Sequence, residues 1–294
     1  MNTEKGLNVI VWSFDRPMQL KLCLDSLLEH FQEAKNSSIS VVYKASSAQF
    51  IAGYDELRYQ YQEREKAGAP KVNFIFETNF YLMTSMAFGY HPQTMFVVDD
   101  QIFFDDFSVT DPIFQLHLRE PSKYFTISLR LDPTKNYCYP VDRNQAIPEL
   151  KEVAPEALAW SWNGQEMDWG YVASLDGNIY HTQPIRNLFA RIQPQQVTNP
   201  NAFEMLLNAA AAQGAVTYPS QNLCYPKAKT CSLPINKVQT MFDNRAESTF
   251  TAQNLLTQWL NKEIIDSENV KDQVRNAPGA HVPVTIKFID VNAL

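Results

Sequence analysis

Short apolar runs alternate with amphipathic segments over the first hundred residues. Continuous apolar runs rich in Val and Ile are typical of strands buried in a parallel sheet, and apolar positions three and four residues apart are typical of helices. These patterns predict strands at residues 7–14, 39–44, 72–76 and 95–98, and helices at 17–30, 52–66 and 80–88. Strands that alternate with helices form βαβ units. We therefore expect an α/β fold with a mostly parallel sheet flanked by helices.

The pattern changes after residue 106, where prolines become frequent and apolar runs become isolated. We predict strands at 124–131 and 169–173, helices at 201–213 and 252–261, and a closing strand at 284–291. No internal repeat or low-complexity linker separates the two regions. The expected organisation is one continuous domain with a ligand-binding half, residues 1–106, and a smaller mixed half, residues 107–294.

Composition excludes several classes of protein. The hydrophobic fraction of 45% provides for a packed core, and a net charge of −7 argues against a nucleic-acid binder, which needs a basic face. No apolar run approaches the length of a membrane span. The four cysteines show neither a CxxC spacing nor the density of a disulfide framework. We expect a cytoplasmic protein, either free or peripheral at a membrane.

The strand predicted at 95–98 ends in two adjacent carboxylates, Asp99 and Asp100. In open α/β sheets, ligands bind beyond the carboxyl ends of the strands. Two hard oxygen donors at that position suit Mg²⁺ or Mn²⁺ carried by a diphosphate, since such ions need few protein ligands. A lone acidic pair is more typical of an acidic turn, and we interpret Asp105 and Asp106 as a solvated turn or the start of a helix. The chain has no GxGxxG or P-loop motif, so the Rossmann dinucleotide and P-loop classes lose their main support.

Two segments together carry a resemblance to a known family. The opening VIVWSFDRPMQLKLCLDSLL and the later FVVDDQIFF resemble the first strand and helix and the DxD region of GT-A fold glycosyltransferases, specifically the family-2-like group. The segment WGYVASLDGNIYHT is similar to the acceptor-side glycine loop of that family. The resemblance covers roughly residues 7 to 240. It departs from the family pattern at the acidic motif, which has two adjacent acids in place of Asp-x-Asp.

The resemblance implies a nucleotide-diphosphate sugar donor, a UDP- or GDP-sugar, and transfer to an acceptor hydroxyl on a glycan, a lipid-linked sugar or a protein. It implies a Mn²⁺ or Mg²⁺ ion at Asp100, with Asp99 as a second ligand or as a partner of the ribose. It places the catalytic base at Glu204, with Asp168 as the second candidate. The other positions implied to bind the donor are Ser13, Phe14, Asp15, Arg16, Lys44, Ser46, Asp176 and Gly177.

Most of these residues also have a structural interpretation. Asp15 can cap the first helix, and Arg16 can be a solvated surface charge. Glu204 stands three residues after Asn201, the spacing of a capping box. Asp176 and Gly177 form a common turn pair. The aromatic residues near Asp168 can stack on a sugar or fill the core; they are Trp160, Trp162 and Trp169.

Two further residues are weaker candidates. His181 can contact a phosphate, although a lone histidine after a strand is more often structural. The resemblance places Asn236 where many relatives have a metal-binding histidine.

Two other functions remain open at this point. A metal-dependent nucleotidyltransferase also combines a parallel sheet with an acidic pair, but Ser13 to Pro17 is not the glycine-rich basic loop expected of that class. A glycan-binding domain of the same fold that lacks catalysis is compatible with the reduced acidic motif.

Overall fold

The computed structural model describes residues 5–212, 218–239, 241 and 244–291. The strands are β1 (Asn8–Phe14), β2 (Ser38–Lys44), β3 (Val72–Phe76), β4 (Gln93–Val98), β5 (Gln101–Phe103), β6 (Tyr124–Ser128), β7 (Tyr137–Cys138), β8 (Arg143–Asn144), β9 (Lys151–Ala154), β10 (Ala157–Ser161), β11 (Asn178–His181), β12 (Gln221–Cys224), β13 (Thr230–Ser232), β14 (Glu263–Ile265) and β15 (Phe288–Asp290). The helices are α1 (Pro17–His30), α2 (Ala48–Lys66), α3 (Phe80–Ala87), α4 (Pro112–Arg119), α5 (Met167–Gly170), α6 (Thr182–Arg191), α7 (Pro200–Ala212), α8 (Ala252–Leu260) and α9 (Ser267–Val274).

A nine-stranded sheet with the order β3-β2-β1-β4-β11-β6-β12-β10-β9 runs through the molecule. β1 pairs in parallel with β2 and β4, and β2 pairs in parallel with β3. β11 is antiparallel to both β4 and β6, so β6 runs in the same direction as β4. β12 is parallel to β6. The α/β prediction is therefore confirmed, and all the strands of this sheet share one direction except β10 and β11.

This topology creates one edge of the sheet at which several chain segments meet. The carboxyl ends of β1, β2, β4 and β6 lie there, and the antiparallel β11 begins there. We call this the carboxyl edge. Parallel sheets present their ligand-binding loops at such an edge.

Two hydrophobic clusters pack on the two faces of the sheet. Alternate residues of β1 point to opposite faces, so Val9 and Val11 join one cluster whereas Ile10 and Trp12 join the other. α1, α2 and α8 contribute to the first cluster, and α3, α6 and α7 contribute to the second. No helix within the described residues is long and apolar enough to cross a bilayer.

The helix α2 begins four residues before its predicted start. Ser47 caps it by accepting a hydrogen bond from the Phe50 amide, a signal that the hydrophobic spacing did not include. The helix predicted at 201–213 is observed as α7, and Gln213 lies outside the described residues.

Three strand predictions in the second half need correction. Residues 169–173 do not form a strand, because Trp169 belongs to α5 and packs edge to face on Trp160 with ring centroids 5.1 Å apart. Of residues 284–291, only Phe288–Asp290 form a strand, which pairs with β14. The strand predicted at 124–131 ends at Ser128. An apolar run shows that a segment is buried, but it does not fix how the segment is folded.

Candidate active site

A cavity of about 710 Å³ opens at the carboxyl edge. Its wall combines the ends of β1 and β4, the segment after β6, the start of α7 and residues 234, 236–239, 241 and 244–246. The predicted site residues that line it are Ser13, Phe14, Arg16, Lys44, Asp99, Asp100, Asp168, Asp176 and Glu204. Asp15, Ser46 and Gly177 lie outside its lining. The structure thus brings residues from both halves of the chain to one cavity.

Asp99 is buried, and both its carboxylate oxygens accept hydrogen bonds from the end of β1 and the loop that follows. Its Oδ2 accepts hydrogen bonds from the Ser13 hydroxyl at 2.8 Å and from the Phe14 amide at 3.1 Å. Its Oδ1 accepts from Nη1 of Arg16 at 3.0 Å. Because both oxygens are occupied, the carboxylate holds the loop in shape.

Asp100 is the carboxylate that keeps an open oxygen. Its Oδ2 lies 3.3 Å from Nη1 of Arg16, whereas its Oδ1 is buried without a hydrogen-bond partner. Burial raises the pKa of Asp100 to about 7; Arg16 lowers the pKa, and the nearby Asp99 and Asp176 raise it further. An unpaired buried oxygen is costly unless a ligand or proton satisfies it.

The Asp100 carboxylate, with its open Oδ1, fits a hydrated divalent ion. Mg²⁺ and Mn²⁺ are commonly held by one or two carboxylates while phosphate and water oxygens complete their coordination. The open Oδ1 of Asp100 supplies such a ligand. The described residues contain no cluster of three or more His, Cys, Asp or Glu side chains that could hold an ion on their own.

Arg16 is buried, so it is not the solvated charge of one sequence interpretation. It is 7% exposed, and it bridges the acidic pair to a distant segment. Its Nε donates to the Asn236 side-chain oxygen at 2.9 Å, and its Nη2 donates to the Asn236 carbonyl at 2.5 Å. Gln19 donates to the same side-chain oxygen at 3.3 Å. That oxygen of Asn236 is therefore engaged with Arg16 and Gln19.

Asp15 does not cap α1. Its backbone has a φ of 55°, in the left-handed region, and Arg16 occupies the N-cap position without a side-chain cap. The Asp15 carboxylate instead accepts hydrogen bonds from the amide of Ser46 at 2.8 Å and from its hydroxyl at 2.5 Å. These bonds tie the β1–α1 loop to the β2–α2 loop behind the cavity lining. Lys44, at the end of β2, does face the cavity, with Nζ 3.8 Å from Glu77.

The first turn of α7 is capped by Asn199, whose side-chain oxygen accepts from the Ala202 amide at 2.9 Å. The capping role that the sequence offered to Asn201 and Glu204 is thus filled by another residue. Glu204 can then direct its carboxylate into the cavity.

The Glu204 carboxylate is held by the loop that follows α5. Its Oε1 accepts from the Leu175 amide at 2.8 Å, and its Oε2 accepts from the Tyr171 hydroxyl at 3.2 Å. Burial raises the pKa of Glu204 to about 8, and Asp176 raises it further, whereas the Leu175 bond and Arg130 lower it. A carboxyl group with a pKa near neutrality has the basicity that suits a general base.

Asp168 belongs to a buried network that the sequence did not predict. Its Oδ2 accepts from Gln145 at 3.1 Å, and its Oδ1 lies 3.6 Å from Nη1 of Arg130. The same Nη1 lies 3.7 Å from Asp176 and 3.2 Å from Nδ1 of His281. Arg130 is 3% exposed and separates two carboxylates that would otherwise repel each other.

The sequence could have indicated that Arg130 lies at the cavity, but it gives no such indication for His281. Arg130 comes two residues after β6, so a correct end for that strand would have placed it at the carboxyl edge. His281 is brought in by a β-bridge with Ser232, and no local pattern announces it. Burial, followed by Arg130, lowers the pKa of His281.

Trp160 and Trp169 are buried in the packed interior, Trp162 is partly buried against them, and none of the three lines the cavity. The indole N–H groups of Trp160, Trp162 and Trp169 donate to backbone carbonyls at 3.0, 2.8 and 2.9 Å. Of the two interpretations of this cluster, the structure favours the core.

Gly177 has a structural task. Its φ is 71°, and a Cβ there would lie 2.7 Å from Gln101 Nε2 and 2.8 Å from Thr230 Cγ2. It lets the chain turn tightly from Asp176 into β11. His181, at the far end of β11, stacks on His117 with centroids 3.9 Å apart, away from this cavity.

The geometry defines an α/β protein with an acid-lined cavity at the carboxyl edge of its sheet. No protein-family model matches the chain, and no curated protein matches it. Among solved structures, it is similar to S. aureus TarS residues 1–349, with 15% identity over 75% of this chain and 57% of that chain and a TM-score of 0.43.

Two further similarities are to the mannosyltransferase PcManGT of Pyrobaculum calidifontis in complex with GDP-Man and Mn²⁺ and to mouse xyloside xylosyltransferase 1. The first has 10% identity over 70% of this chain and 52% of that chain, with a TM-score of 0.38. The second has 10% identity over 69% of this chain and 75% of that chain, with a TM-score of 0.31. Both are named as sugar transferases.

Proposed function

We propose that this chain is a glycosyltransferase that moves a sugar from a nucleotide-diphosphate sugar to an acceptor hydroxyl. The observation that carries the proposal is one cavity of about 710 Å³ that both halves of the chain line. The end of β1 and the acidic pair, Asp99 and Asp100, contribute to it, and so do Glu204 and Asp176. That space suits a small-molecule ligand.

The donor side is formed by the β1–α1 loop and the end of β2. Ser13, Phe14 and Lys44 line the cavity there, and Lys44 provides an exposed positive charge for a nucleotide phosphate. Asp100 would hold Mg²⁺ or Mn²⁺ through its open Oδ1. When bound, the ion supplies positive charge that neutralises the departing diphosphate. Asp99 and Arg16 act on this side by fixing the loop and the segment around Asn236.

On the acceptor side, Glu204 is the proposed general base. It takes the proton of the acceptor hydroxyl as that oxygen bonds to the anomeric carbon and the bond from that carbon to the diphosphate oxygen breaks. Asp176, two residues before β11, lines the same wall and would accept hydrogen bonds from hydroxyls of the donor sugar. Asp168 and Arg130 are positioning residues that hold the acceptor wall.

A donor-binding panel tests this function. UDP- and GDP-sugars, including UDP-GlcNAc and GDP-Man, are each added with and without Mn²⁺, and the melting temperature and the release of nucleotide diphosphate are measured. We expect one donor to raise the melting temperature and to be hydrolysed slowly. Finding no such donor, with or without the ion, would refute the proposal.

A single substitution assigns the ion site within that panel. Asp100→Asn should remove the effect of Mn²⁺ on donor binding, because it replaces the open carboxylate. Asp106→Asn is the matched control, since Asp106 is an exposed acid that pairs with His30 outside the cavity. Mn²⁺ dependence that survives Asp100→Asn would take Asp100 out of the ion site.

A further inference from the structure

Phe14, Lys44 and Glu77 form a row across the donor side of the carboxyl edge. Phe14 of β1 lies opposite Lys44 of β2. Glu77 comes directly after β3 and lies beside Lys44, with 3.8 Å between its Oε1 and the lysine Nζ. All three side chains line the cavity. The end of β3 therefore contributes a carboxylate that has no part in the transfer step proposed above.

The Glu77 carboxylate is mostly buried and has room to accept hydrogen bonds. Its side chain is 12% exposed. Among the described residues, its polar contact is with Lys44, whose Nζ at 3.8 Å is beyond hydrogen-bonding distance. Burial raises the pKa of Glu77, whereas Lys44 lowers it. Because a desolvated carboxylate without hydrogen bonds is unfavourable, a ligand that donates N–H groups would stabilise it.

The position of Glu77 suits the base of a nucleotide better than its phosphates. Asp100, the proposed ion ligand, follows β4, and the strand order β4-β1-β2-β3 places the end of β3 three strands away. Adjacent strands are about 4.8 Å apart, so these two strand ends are separated by about 14 Å. On the other side of β4 lies β11, which leads back to Asp176 on the acceptor wall. A donor whose diphosphate lies at Asp100 therefore extends its nucleoside toward β3.

The surface beside Glu77 is apolar. Trp12 and Phe14 stand two residues apart on β1, so their side chains leave the strand on one face. Val42 of β2 lies opposite Trp12, and all three residues line the cavity. Aromatic and aliphatic side chains suit the flat face of a nucleobase, whose hydrogen-bonding groups lie along its edge. The donor side thus offers a surface for a base and, in Glu77, an acceptor for the edge of that base.

The chemistry of a carboxylate discriminates between the bases. Guanine presents two adjacent donors, N1–H and the N2 amino group, which match the two oxygens of one carboxylate. Uracil presents one N–H between two carbonyl oxygens, so a carboxylate that accepts this N–H turns its second oxygen toward a carbonyl. Adenine and cytosine each place their amino group beside a ring nitrogen that is itself an acceptor.

We propose that Glu77 recognises guanine, so that the donor is a GDP-sugar; the proposal rests on the glycosyltransferase function proposed above. Both carboxylate oxygens of Glu77 accept from the base, one from N1–H and one from the N2 amino group. Lys44, which is about half exposed, stays available to the phosphates. Glu77 is then the residue that determines the nucleotide specificity of the donor site.

The test measures the Kd of GDP, UDP and inosine diphosphate for the full chain by calorimetry, each in the presence of Mn²⁺. Inosine diphosphate differs from GDP only in lacking the N2 amino group, so it retains one of the two donors. We expect GDP to bind about tenfold or more tightly than either of the other nucleotides, which is the discrimination typical of a bidentate contact with a base.

Glu77→Gln assigns the preference to this residue. Glutamine has a single acceptor oxygen, so the Kd of GDP should rise about tenfold and approach that of inosine diphosphate. Glu65→Gln is the matched control, because Glu65 is exposed on α2 and outside the cavity lining, and its guanine preference should equal that of wild type. The melting temperature of each variant shows that it is folded.

The outcomes separate this inference from the function on which it rests. UDP or inosine diphosphate binding to wild type as tightly as GDP would overturn the role of Glu77 and leave the glycosyltransferase function standing. A guanine preference that survives Glu77→Gln would do the same. Failure of all three nucleotides to bind would overturn that function and this inference together.

Discussion

The two walls of the cavity are built in opposite ways. On the donor side, the carboxylate of Asp99 receives three hydrogen bonds, two from Ser13 and Phe14 at the end of the buried strand β1 and one from Arg16 just after it. On the acceptor side, Glu204 and Asp176 approach from α7 and an irregular loop, and the pKa of Glu204 is raised to about 8 by burial. The donor wall thus has one carboxylate, Asp99, that is fixed by hydrogen bonds within the wall, whereas on the acceptor wall the buried Glu204 carboxyl has a raised pKa.

This difference suits two different tasks. A site that binds charged phosphates benefits from a rigid arrangement that costs no reorganisation. A site that moves a proton benefits from a group whose pKa lies close to the working pH. Substitutions on the two walls should therefore affect different quantities, and this expectation can be tested.

The largest effect is expected from Glu204→Gln on the acceptor wall. Removing a general base should lower kcat by about 10² to 10⁴ while the donor still raises the melting temperature. The measurement pairs transfer kinetics with the donor thermal shift. Glu166→Gln is the control, because Glu166 is exposed and outside the cavity lining. Unchanged kcat would remove Glu204 from its proposed role, and a global loss of folding would show that its bonds to Leu175 and Tyr171 are structural.

An intermediate effect is expected within the acidic pair. Asp99→Asn leaves the buried Arg16 without its shorter carboxylate contact and should lower the free energy of unfolding by about 3 kcal/mol. Asp100→Asn should lower the free energy of unfolding by less, because one Asp100 oxygen has no hydrogen-bond partner in the folded protein. Urea unfolding of both variants compares the two free energies. Equal losses would contradict the assignment of Asp99 to the loop and Asp100 to the ligand.

The smallest effect concerns the pH dependence of stability. Glu204 titrates near pH 8 in the folded protein against 4.5 for a free side chain, and Asp100 titrates near 7 against 3.8. For each group, between its free and its folded pKa, the folded state binds more protons than the unfolded state. The free energy of unfolding therefore falls as the pH rises through that range. We expect a gradual decrease in stability between about pH 5 and 8. Glu204→Gln should make the decrease shallower, and a wild-type stability that rises over this range would contradict the burial of these acids.

The same contrast explains what the sequence could predict. The donor half follows the rule of buried strands and intervening helices, so the apolar runs located β1 to β4 and placed the acidic pair after a strand. The acceptor half is assembled from short strands inserted out of order, such as β11 between β4 and β6. Arg130 was missed because the strand before it was predicted to be too long. His281 was missed because only a tertiary bridge to Ser232 brings it to the cavity.

The hydrogen bonds between Arg16 and Asn236 join residues 220 positions apart. During synthesis, the β1–α1 loop emerges long before the segment that completes its surroundings. Contacts of such long sequence separation form late, because a large loop must close first. The nascent chain can therefore form its parallel strands early while Arg16 still lacks Asn236. The order of synthesis thus delays a finished donor site until the segment around Asn236 has been made.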